Sequence, residues 1–412
     1  MAPSHDTHEH EHEHENEKRD LRERARAFFH DNRPADPGFK LPQTFLEVES
    51  EEQFLWLKAW QKQVHAAGLI GVEWPKQYGG QGMPPGSQRV VAEEMGRAGV
   101  PFLVNRIGLD WAGPTILAVG TEEQKQRYLR NILSCDEVWC QGFSEPGAGS
   151  DLASLRTSAV RSGDHYIVHG HKVWTTQAFW ADYMILLART DPAAPKHAGI
   201  SYFLFPMQSR GVFVRPLVKM TGEGGFNQVI FEDVEIPASC LLASEGDGWR
   251  LAVMTLAFER GASEGSATGG ALAAGGEVAR LVALAKGVCR DGRPASEDPV
   301  MRDRIAELAI EEEALLASAL RARVPGLVEE RPLALPFLGK LVATEFGQRL
   351  AALGQEVEGP LAQHAFGAER AADGGHFQRA YMNSFGFTIG GGTSEIQRNL
   401  IGEKILGLPK ST

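Results

Sequence analysis

The hydrophobic pattern of this chain changes period twice along its length, and these changes limit the folds open to it. Residues 18 to 133 repeat apolar side chains at helical spacing, for example Phe54, Leu57 and Trp60. From residue 134 the pattern becomes short apolar runs separated by turn residues, and helical spacing returns from Gly248. We therefore predict a multidomain protein with an N-terminal helical domain, a middle antiparallel β domain and a C-terminal helical domain.

The same pattern gives the predicted boundaries, which are 18–135 for the first helical domain, 136–240 for the β domain and 241–412 for the second helical domain. Residues 1–17 precede them, and between His5 and Glu15 they alternate histidine with glutamate. This run has no apolar face to bury, so we predict a disordered, solvated tail and assign it no metal site.

Composition excludes several classes of protein. The chain has 412 residues and is 43% hydrophobic, which is typical of a folded globular protein with more than one packed unit. No apolar run approaches 18 residues, so no membrane span is predicted. The net charge of −11 disfavours a nucleic-acid binder. The N-terminus lacks the pattern of a secretory signal, and the four cysteines lack metal-ligand spacing, so we expect reduced thiols and a cytoplasmic location.

Two motifs in the β domain have a pattern that suits a cofactor site. The first is a glycine-rich turn at 144–153, where Gly147 and Gly149 would let a bound group approach the backbone closely. A predicted hairpin follows, with its turn at Gly163, and then the run Lys172-Val173-Trp174-Thr175-Thr176. Taken alone, Trp174 would be an ordinary buried aromatic residue at the end of a strand.

These motifs, together with Gly390–Arg398 near the C-terminus, resemble the signatures of the acyl-CoA dehydrogenase family. The resemblance covers residues 21 to 409 and implies a C-terminal four-helix bundle and an FAD cofactor. It implies that Phe143 and Ser144 line the flavin, that Trp174 packs against it and that Thr176 lies near its reactive N5. It places Ser150 near the CoA thioester or the cofactor, and it implies flavin contacts from Thr393, Glu395 and Gln397.

The resemblance also bears on the catalytic base. Much of the family carries a glutamate in the C-terminal loop, where this chain has Gly391. Some members carry the base earlier, in a Leu-x-x-Glu-Arg context, which matches Leu256–Arg260 here. We therefore predict Glu259 as the base, the backbone N–H of Gly391 as the donor to the thioester oxygen, and Arg260 as a substrate-binding residue. Helix statistics alone would make Glu259 an exposed surface carboxylate.

The function that follows from the resemblance is FAD-dependent oxidation of an acyl-CoA to its 2,3-enoyl-CoA, with an electron-transferring flavoprotein as acceptor and a dimeric or tetrameric assembly. Small residues after Glu259 suggest a pocket for a bulky, branched, cyclic or steroid-like acyl group, although close helix packing explains them equally well: Gly265, Ala267, Gly269 and Gly270. Two segments through which many members reach a neighbouring subunit's FAD are not recognisable. The alternative is therefore a non-catalytic or heteromeric-partner subunit, or a desulfinase-like relative.

Overall fold

The computed structural model describes residues 5–259, 276–321, 324 and 334–410. It separates into two compact units, Met1–Gly265 and Ser266–Thr412. Each unit has its own hydrophobic core, so each is described separately.

The first unit opens with five helices, as the apolar spacing predicts: α1 (His5–Asp31), α2 (Glu51–Ala66), α3 (Ser87–Ala98), α4 (Gly113–Val119) and α5 (Glu122–Ser134). Helix α5 begins as predicted, because the Thr121 hydroxyl accepts the backbone N–H of Gln124 and the Gln124 side chain accepts that of Thr121. A short π-helix, Gly108–Ala112, runs directly into α4.

Helix α1 differs from the sequence prediction at its start. The structure continues this helix back to His5, where we predicted a disordered tail over residues 1–17. Glutamate has a high helix propensity. Each residue added to an existing helix gains a hydrogen bond without the cost of nucleation. A polar run joined to a packed helix can therefore be helical without burying an apolar face.

An eight-stranded sheet follows, in the order β6-β7-β3-β2-β4-β5-β8, with β1 paired to β4. Its strands are β1 (Trp139–Gly142), β2 (Ser158–Ser162), β3 (His165–Thr176), β4 (Tyr183–Arg189), β5 (Ile200–Pro206), β6 (Val212–Leu217), β7 (Phe226–Pro237) and β8 (Leu241–Leu242). The predicted hairpin of β2 and β3 is confirmed, with Gly163 at positive φ in its turn.

The sequence predicted an antiparallel sheet, but the sheet in the structure is mixed. Strand β1 runs parallel to β4, from Trp139 opposite Tyr183 to Gly142 opposite Leu186. A parallel pair needs a long connection. Here that connection contains the glycine-rich turn and the β2–β3 hairpin.

The two faces of strands β4 and β5 contribute to different cores. Ile185, Leu187 and Tyr202 pack with buried residues of the helices. The alternate residues, such as Leu186 and Phe203, pack with other buried residues of the sheet. This alternation follows from the two-residue repeat of a strand.

Helix α6 (Gly248–Ala257) also belongs to the first unit. We predicted that the third domain starts at residue 241, but Leu251 and Ala252 of α6 are fully buried in the core that contains Tyr202. The apolar face of α6 therefore packs against the sheet in the core of the first unit.

The second unit contains five helices among its described residues: α7 (Glu277–Gly287), α8 (Pro299–Arg321), α9 (Ala334–Glu358), α10 (His376–Ile389) and α11 (Ser394–Leu400). Leu281, Ile305, Phe346 and Phe377 are buried together and join four of these helices around one core. No helix in the described part of the chain is long and apolar enough to cross a membrane.

Glu358, the last residue of α9, is a buried carboxyl group with an amide as its partner. It is 1% exposed and accepts a hydrogen bond from Nε2 of Gln378, which is itself 4% exposed. Within the described structure, Oε1 of Glu358 and Oε1 of Gln378 are both buried without a hydrogen-bond donor. Burial and the charge of Asp373 raise the pKa of Glu358 to about 7. Protonation at Oε1 would supply the missing donor to Gln378 and complete a cyclic acid–amide pair.

This arrangement predicts a pH-dependent stability. The folded pKa of Glu358 lies above its unfolded value, so the stabilisation it gives is complete at low pH and is lost as pH rises toward 7. Glu358→Gln keeps both hydrogen bonds without a charge. We expect its free energy of unfolding to match the wild type near pH 5 and to exceed it at pH 8 by roughly 1–3 kcal/mol.

Denaturant unfolding at the two pH values measures this difference. Glu356→Gln is the control, because Glu356 is an exposed carboxylate whose pKa is held low by its bond to Arg304. It should gain no stability at pH 8. An equal loss of stability at both pH values in Glu358→Gln would contradict the acid–amide pair.

Candidate functional site

The glycine-rich turn after β1 is closed by its own backbone. Glu145 and Ala148 exchange two hydrogen bonds, with N···O distances of 2.9 and 3.1 Å. The carbonyl oxygen of Ser144, at the start of the turn, accepts the N–H of Val173 at 3.0 Å. This bond places the turn beside Trp174, so the structure brings together the first two groups of predicted site residues.

A buried ion pair fixes the same turn to β3. Lys172 is fully buried, and its Nζ lies 2.8 Å from Oε1 of Glu145 and 3.0 Å from the carbonyl oxygen of Phe143. The backbone N–H groups of Arg156 and Thr157 donate to Glu145 at 2.7 and 2.8 Å. One lysine and one glutamate thus connect both ends of the turn to the sheet. Sequence reasoning missed this role, because its only sign in the sequence was one charged residue in each of the two motifs.

The ionisation of this pair follows from its surroundings. Burial lowers the pKa of Lys172 to about 8, although Glu145 acts in the opposite direction. Burial would raise the pKa of Glu145, but Lys172 and the hydrogen bonds from Thr157 and Arg156 hold it below its usual value. Both groups are therefore charged at pH 7, and neither charge is exposed to water.

Trp174 has an unusual conformation for a large residue in a strand. Its φ is +58°, in the left-handed region, and its side chain is 59% exposed. It lies where the register between β3 and β7 shifts, between Lys172 and Thr175. A non-glycine residue in this region costs of order 1–3 kcal/mol, and such strain is concentrated at binding sites. The irregularity turns the indole out of the sheet, so it is not the ordinary buried aromatic that its isolated sequence position suggests.

Several groups around Trp174 fit the approach of a bound cofactor. The described chain has no atom within 4 Å of a Cβ built on Gly147 or Gly149, so its packing does not explain either glycine. Nε2 of Gln141 and Oγ1 of Thr175 are buried without a partner in the described structure. Phe143 and Thr176 are buried, at 4% and 6% exposed. A polar, planar group lying against this surface would account for these features.

Ser150, predicted to contact the substrate or the cofactor, is exposed at the end of the glycine-rich turn. The next residue, Asp151, forms an exposed ion pair with Lys196, with a distance of 2.6 Å between Nζ and Oδ2. The structure does not bring the Ser150 side chain into the buried part of the site.

Glu259 lies two residues after the end of α6 and is half-buried, in a turn of π-helical geometry with Phe258. Such turns occur frequently at functional sites. Glu259 lies in the first unit, whereas Gly391 lies in the second. Arg260 and the small residues Gly265, Ala267, Gly269 and Gly270 are outside the described residues.

The C-terminal loop is organised by its own hydrogen bonds. Gly391 and Gly392 have φ values of +67° and +98°, which favour glycine. Gln397 is fully buried, and its Nε2 donates to the carbonyl oxygen of Gly391 at 2.9 Å. The Thr393 hydroxyl caps α11 by accepting the N–H of Ile396 at 3.2 Å. The structure thus brings three of the four predicted residues of this loop into one small hydrogen-bonded group.

Two further features surround this loop. Lys340 of α9, which sequence reasoning missed, donates from Nζ to the carbonyl oxygen of Gly392 at 2.6 Å. Backbone and Thr393 hydrogen bonds, with Arg398 and Lys340, lower the pKa of the exposed Glu395. A cavity of about 420 Å³ lies beside Thr393 and Glu395, with Glu345 and Arg349 on its other wall. Among the described residues, no group of three or more His, Cys, Asp or Glu side chains could hold a metal ion.

Comparison with known proteins gives the same picture over nearly the whole chain. Residues 15–136, 140–234 and 246–406 match the models of the N-terminal, middle and C-terminal domains of acyl-CoA dehydrogenase. Acyl-CoA dehydrogenase IpdE1 of Mycobacterium tuberculosis is 38% identical over 359 residues, which are 87% of this chain and 90% of that protein.

Two solved structures are also similar to this chain. One is described as the Tcur3481-Tcur3483 steroid ACAD; it has a TM-score of 0.78 and 32% identity, and the match covers 96% of this chain and 98% of that one. The other is the ChsE4-ChsE5 complex of Mycobacterium tuberculosis, with a TM-score of 0.78, 30% identity and the same coverage of 96% and 98%.

The buried ion pair predicts a large cost when one partner is removed. Lys172→Met leaves Glu145 charged and unpaired in the core, so we expect a loss of about 3–5 kcal/mol in the free energy of unfolding. Lys196→Met breaks the exposed pair with Asp151 and should cost about 0–1 kcal/mol. Denaturant unfolding of both variants gives the comparison. Equal, small losses in the two variants would show that the buried pair does not hold the turn.

Proposed function

This chain belongs to the acyl-CoA dehydrogenase family and is an FAD-dependent oxidoreductase of lipid metabolism, and from this we propose that it converts a bulky acyl-CoA thioester into the 2,3-enoyl-CoA. The observation that carries the proposal is the left-handed, exposed Trp174 beside the turn that the Lys172–Glu145 pair fixes in place. The indole has an edge-on contact with Phe226 but stays 59% exposed, so this surface suits a large planar group, and such strain is concentrated at binding sites.

The proposed roles of the chain's own residues are those of proton transfer and oxyanion binding. Glu259 removes the proton from Cα of the thioester, and its half-buried position suits a carboxylate that acts as a base. The N–H of Gly391 donates to the thioester oxygen, where negative charge develops. A bound FAD would supply the acceptor for the hydride that leaves Cβ as the Cα–Cβ double bond forms. A backbone donor at residue 391 does not depend on the side chain, so glycine is compatible with this role.

The proposed flavin contacts form two groups in the sequence. In the first, the ring system would be held by Phe143, Ser144, Trp174 and Thr176. The partnerless Nε2 of Gln141, on β1 just before Phe143, is a further donor. In the second, the cofactor would be bound by Thr393, Glu395 and Gln397. The partnerless, buried Oε1 of Gln397 supports this part of the proposal. Ser150 and Arg260 remain proposed substrate contacts.

We propose a steroid-like or otherwise cyclic acyl group as the substrate. The support is the similarity to a solved steroid ACAD, together with the run of small residues after Glu259 in the sequence. We also propose that electrons pass to an electron-transferring flavoprotein, that the protein is cytoplasmic and that it forms a dimer or tetramer. Two of the similar structures are named as pairs of components, which favours an assembly with a second, different chain.

Anaerobic mixing of the purified flavoprotein with acyl-CoA thioesters tests the role of Glu259. We expect wild type to lose flavin absorbance, and Glu259→Gln to do so about 10²–10⁴-fold more slowly with unchanged FAD content, because only the base is removed. Glu235→Gln, which changes an exposed carboxylate on β7, should react like wild type. Full activity in Glu259→Gln would refute its role as the base.

The same measurement separates the alternative function. If the chain is a non-catalytic partner subunit, the protein purified alone will bleach with no thioester. The complex obtained by co-expression with the second chain will then bleach equally well with the wild-type chain and with the Glu259→Gln variant.

The substrate class has its own test. Butanoyl-CoA and octanoyl-CoA are compared with cyclohexanecarbonyl-CoA and with a thioester that carries a steroid ring system on its acyl chain. We expect kcat/KM to be at least about tenfold higher for the cyclic thioesters, because a wide pocket leaves a slim chain poorly packed. Clear preference for butanoyl-CoA or octanoyl-CoA would eliminate the wide pocket.

A further inference from the structure

Three buried hydroxyl groups connect β5, α6 and α4 behind the proposed site. Tyr202 of β5, Thr255 of α6 and Thr115 of α4 are all fully buried. The Tyr202 hydroxyl lies 3.1 Å from Oγ1 of Thr255, which lies 3.0 Å from Oγ1 of Thr115. We call these three residues the hydroxyl chain.

The protons of the hydroxyl chain can be assigned from its surroundings. Thr115 has the carbonyl oxygen of Trp111 at 2.7 Å as an acceptor, and Thr255 has that of Leu251 at 2.9 Å. Each hydroxyl has only one proton. The four contacts share three protons: Tyr202 donates to Thr255, Thr115 donates to Trp111, and Thr255 divides its proton between Leu251 and Thr115. Burial raises the pKa of Tyr202, so this phenol stays neutral and keeps its proton.

The two ends of the hydroxyl chain adjoin the proposed chemistry. The ring of Tyr202 packs edge-on against Phe143, with centroids 6.0 Å apart, and Phe143 is a proposed flavin contact. Thr255 is the last fully buried residue of α6 and precedes Glu259 by four residues, which is about 6 Å along a helix. Residues three or four apart lie on the same side of a helix.

The hydroxyl chain also joins two segments of π-helical geometry. Trp111, whose carbonyl oxygen accepts from Thr115, belongs to the π-helix Gly108–Ala112. Glu259 and Phe258 form the other π-type turn, directly after α6. A π turn breaks the regular hydrogen-bond pattern of a helix, so side-chain bonds next to it have more influence on where the following residue lies.

We propose that Tyr202, Thr255 and Thr115 are positioning residues, which hold α6 so that Glu259 keeps a fixed place relative to the surface around Phe143. This inference rests on the proposed role of Glu259 as the base. Neither Tyr202 nor Thr255 touches the reacting atoms in this proposal; both act through the carboxylate that follows α6. A shift of about 1 Å in a catalytic group can cost about 100-fold in rate.

Two substitutions remove single hydroxyl groups with little change of shape. We measure flavin reduction with whichever of the four thioesters named above reacts fastest. We expect Thr255→Val and Tyr202→Phe to slow this reduction about 10- to 100-fold, and to change KM and FAD content less than about twofold. The double variant should be no slower than the slower single variant, because both changes break the same chain. Thr255→Ser keeps the hydroxyl and should restore the wild-type rate.

Tyr166→Phe is the matched control. Tyr166 is also a buried tyrosine packed edge-on against a phenylalanine, but it lies in the core of the sheet and its hydroxyl donates to Glu245, which precedes α6. We expect it to lower the melting temperature without changing the rate of flavin reduction. Amide hydrogen exchange of residues 251–259, measured without substrate, should accelerate in Thr255→Val and not in Tyr166→Phe.

The outcomes separate this inference from the proposed function. The positioning role would be overturned by a wild-type rate of flavin reduction in Thr255→Val, or by a loss of rate in Tyr166→Phe equal to that in Thr255→Val. Either result would count even if Glu259→Gln is inactive. Equal impairment of Thr255→Ser and Thr255→Val would also overturn it. If Glu259→Gln reacts normally, the base assignment itself fails, whatever the hydroxyl variants do.

Discussion

The ion pair between Lys172 and Glu145 is the contact on which the arrangement of the β domain's site depends. Ala148, Leu152 and Ala153 of the glycine-rich turn pack in the core, but Gly147 and Gly149 have open space around them. The start of the turn is fixed by a lysine that spans from β3 to Glu145 and to the carbonyl oxygen of Phe143. Desolvation of the two charges is costly, and three hydrogen bonds to Glu145 offset part of that cost. Such a pair contributes less to net stability than to a single defined geometry.

That geometry explains why strain can persist at Trp174. The backbone before it is held by the bond from Val173 to Ser144 and by buried Lys172, and the backbone after it continues through buried Thr175 and Thr176. A left-handed residue between two fixed segments cannot relax without breaking those contacts. The strain and the buried ion pair are thus two parts of one arrangement, in which an aromatic side chain is directed away from the sheet.

Element order was predictable from the sequence because periodicity is a local property. The β2–β3 hairpin and the cap of α5 depend on a few neighbouring residues, and both were found where expected. The parallel pairing of β1 with β4 depends on contacts across more than forty positions. The placement of α6 depends on which core accepts Leu251 and Ala252. The burial of Lys172 was the least predictable feature, since an isolated lysine in a strand is far more often exposed.

The site residues also differ in whether the sequence could predict them. Family resemblance pointed to Phe143, Ser144, Trp174 and Thr176, and the structure shows how these positions are held. It could not point to Tyr202 or Thr255, because a tyrosine in a strand and a threonine in a helix carry no motif. Their significance comes from a count of protons, because three hydroxyl protons serve four hydrogen-bond contacts. Around Trp174 the fold uses charge to fix a flexible turn, whereas behind α6 it uses neutral hydroxyl groups. Neutral hydroxyl groups need no counter-charge, so three of them can be buried between α4, β5 and α6 when each has a hydrogen-bond partner.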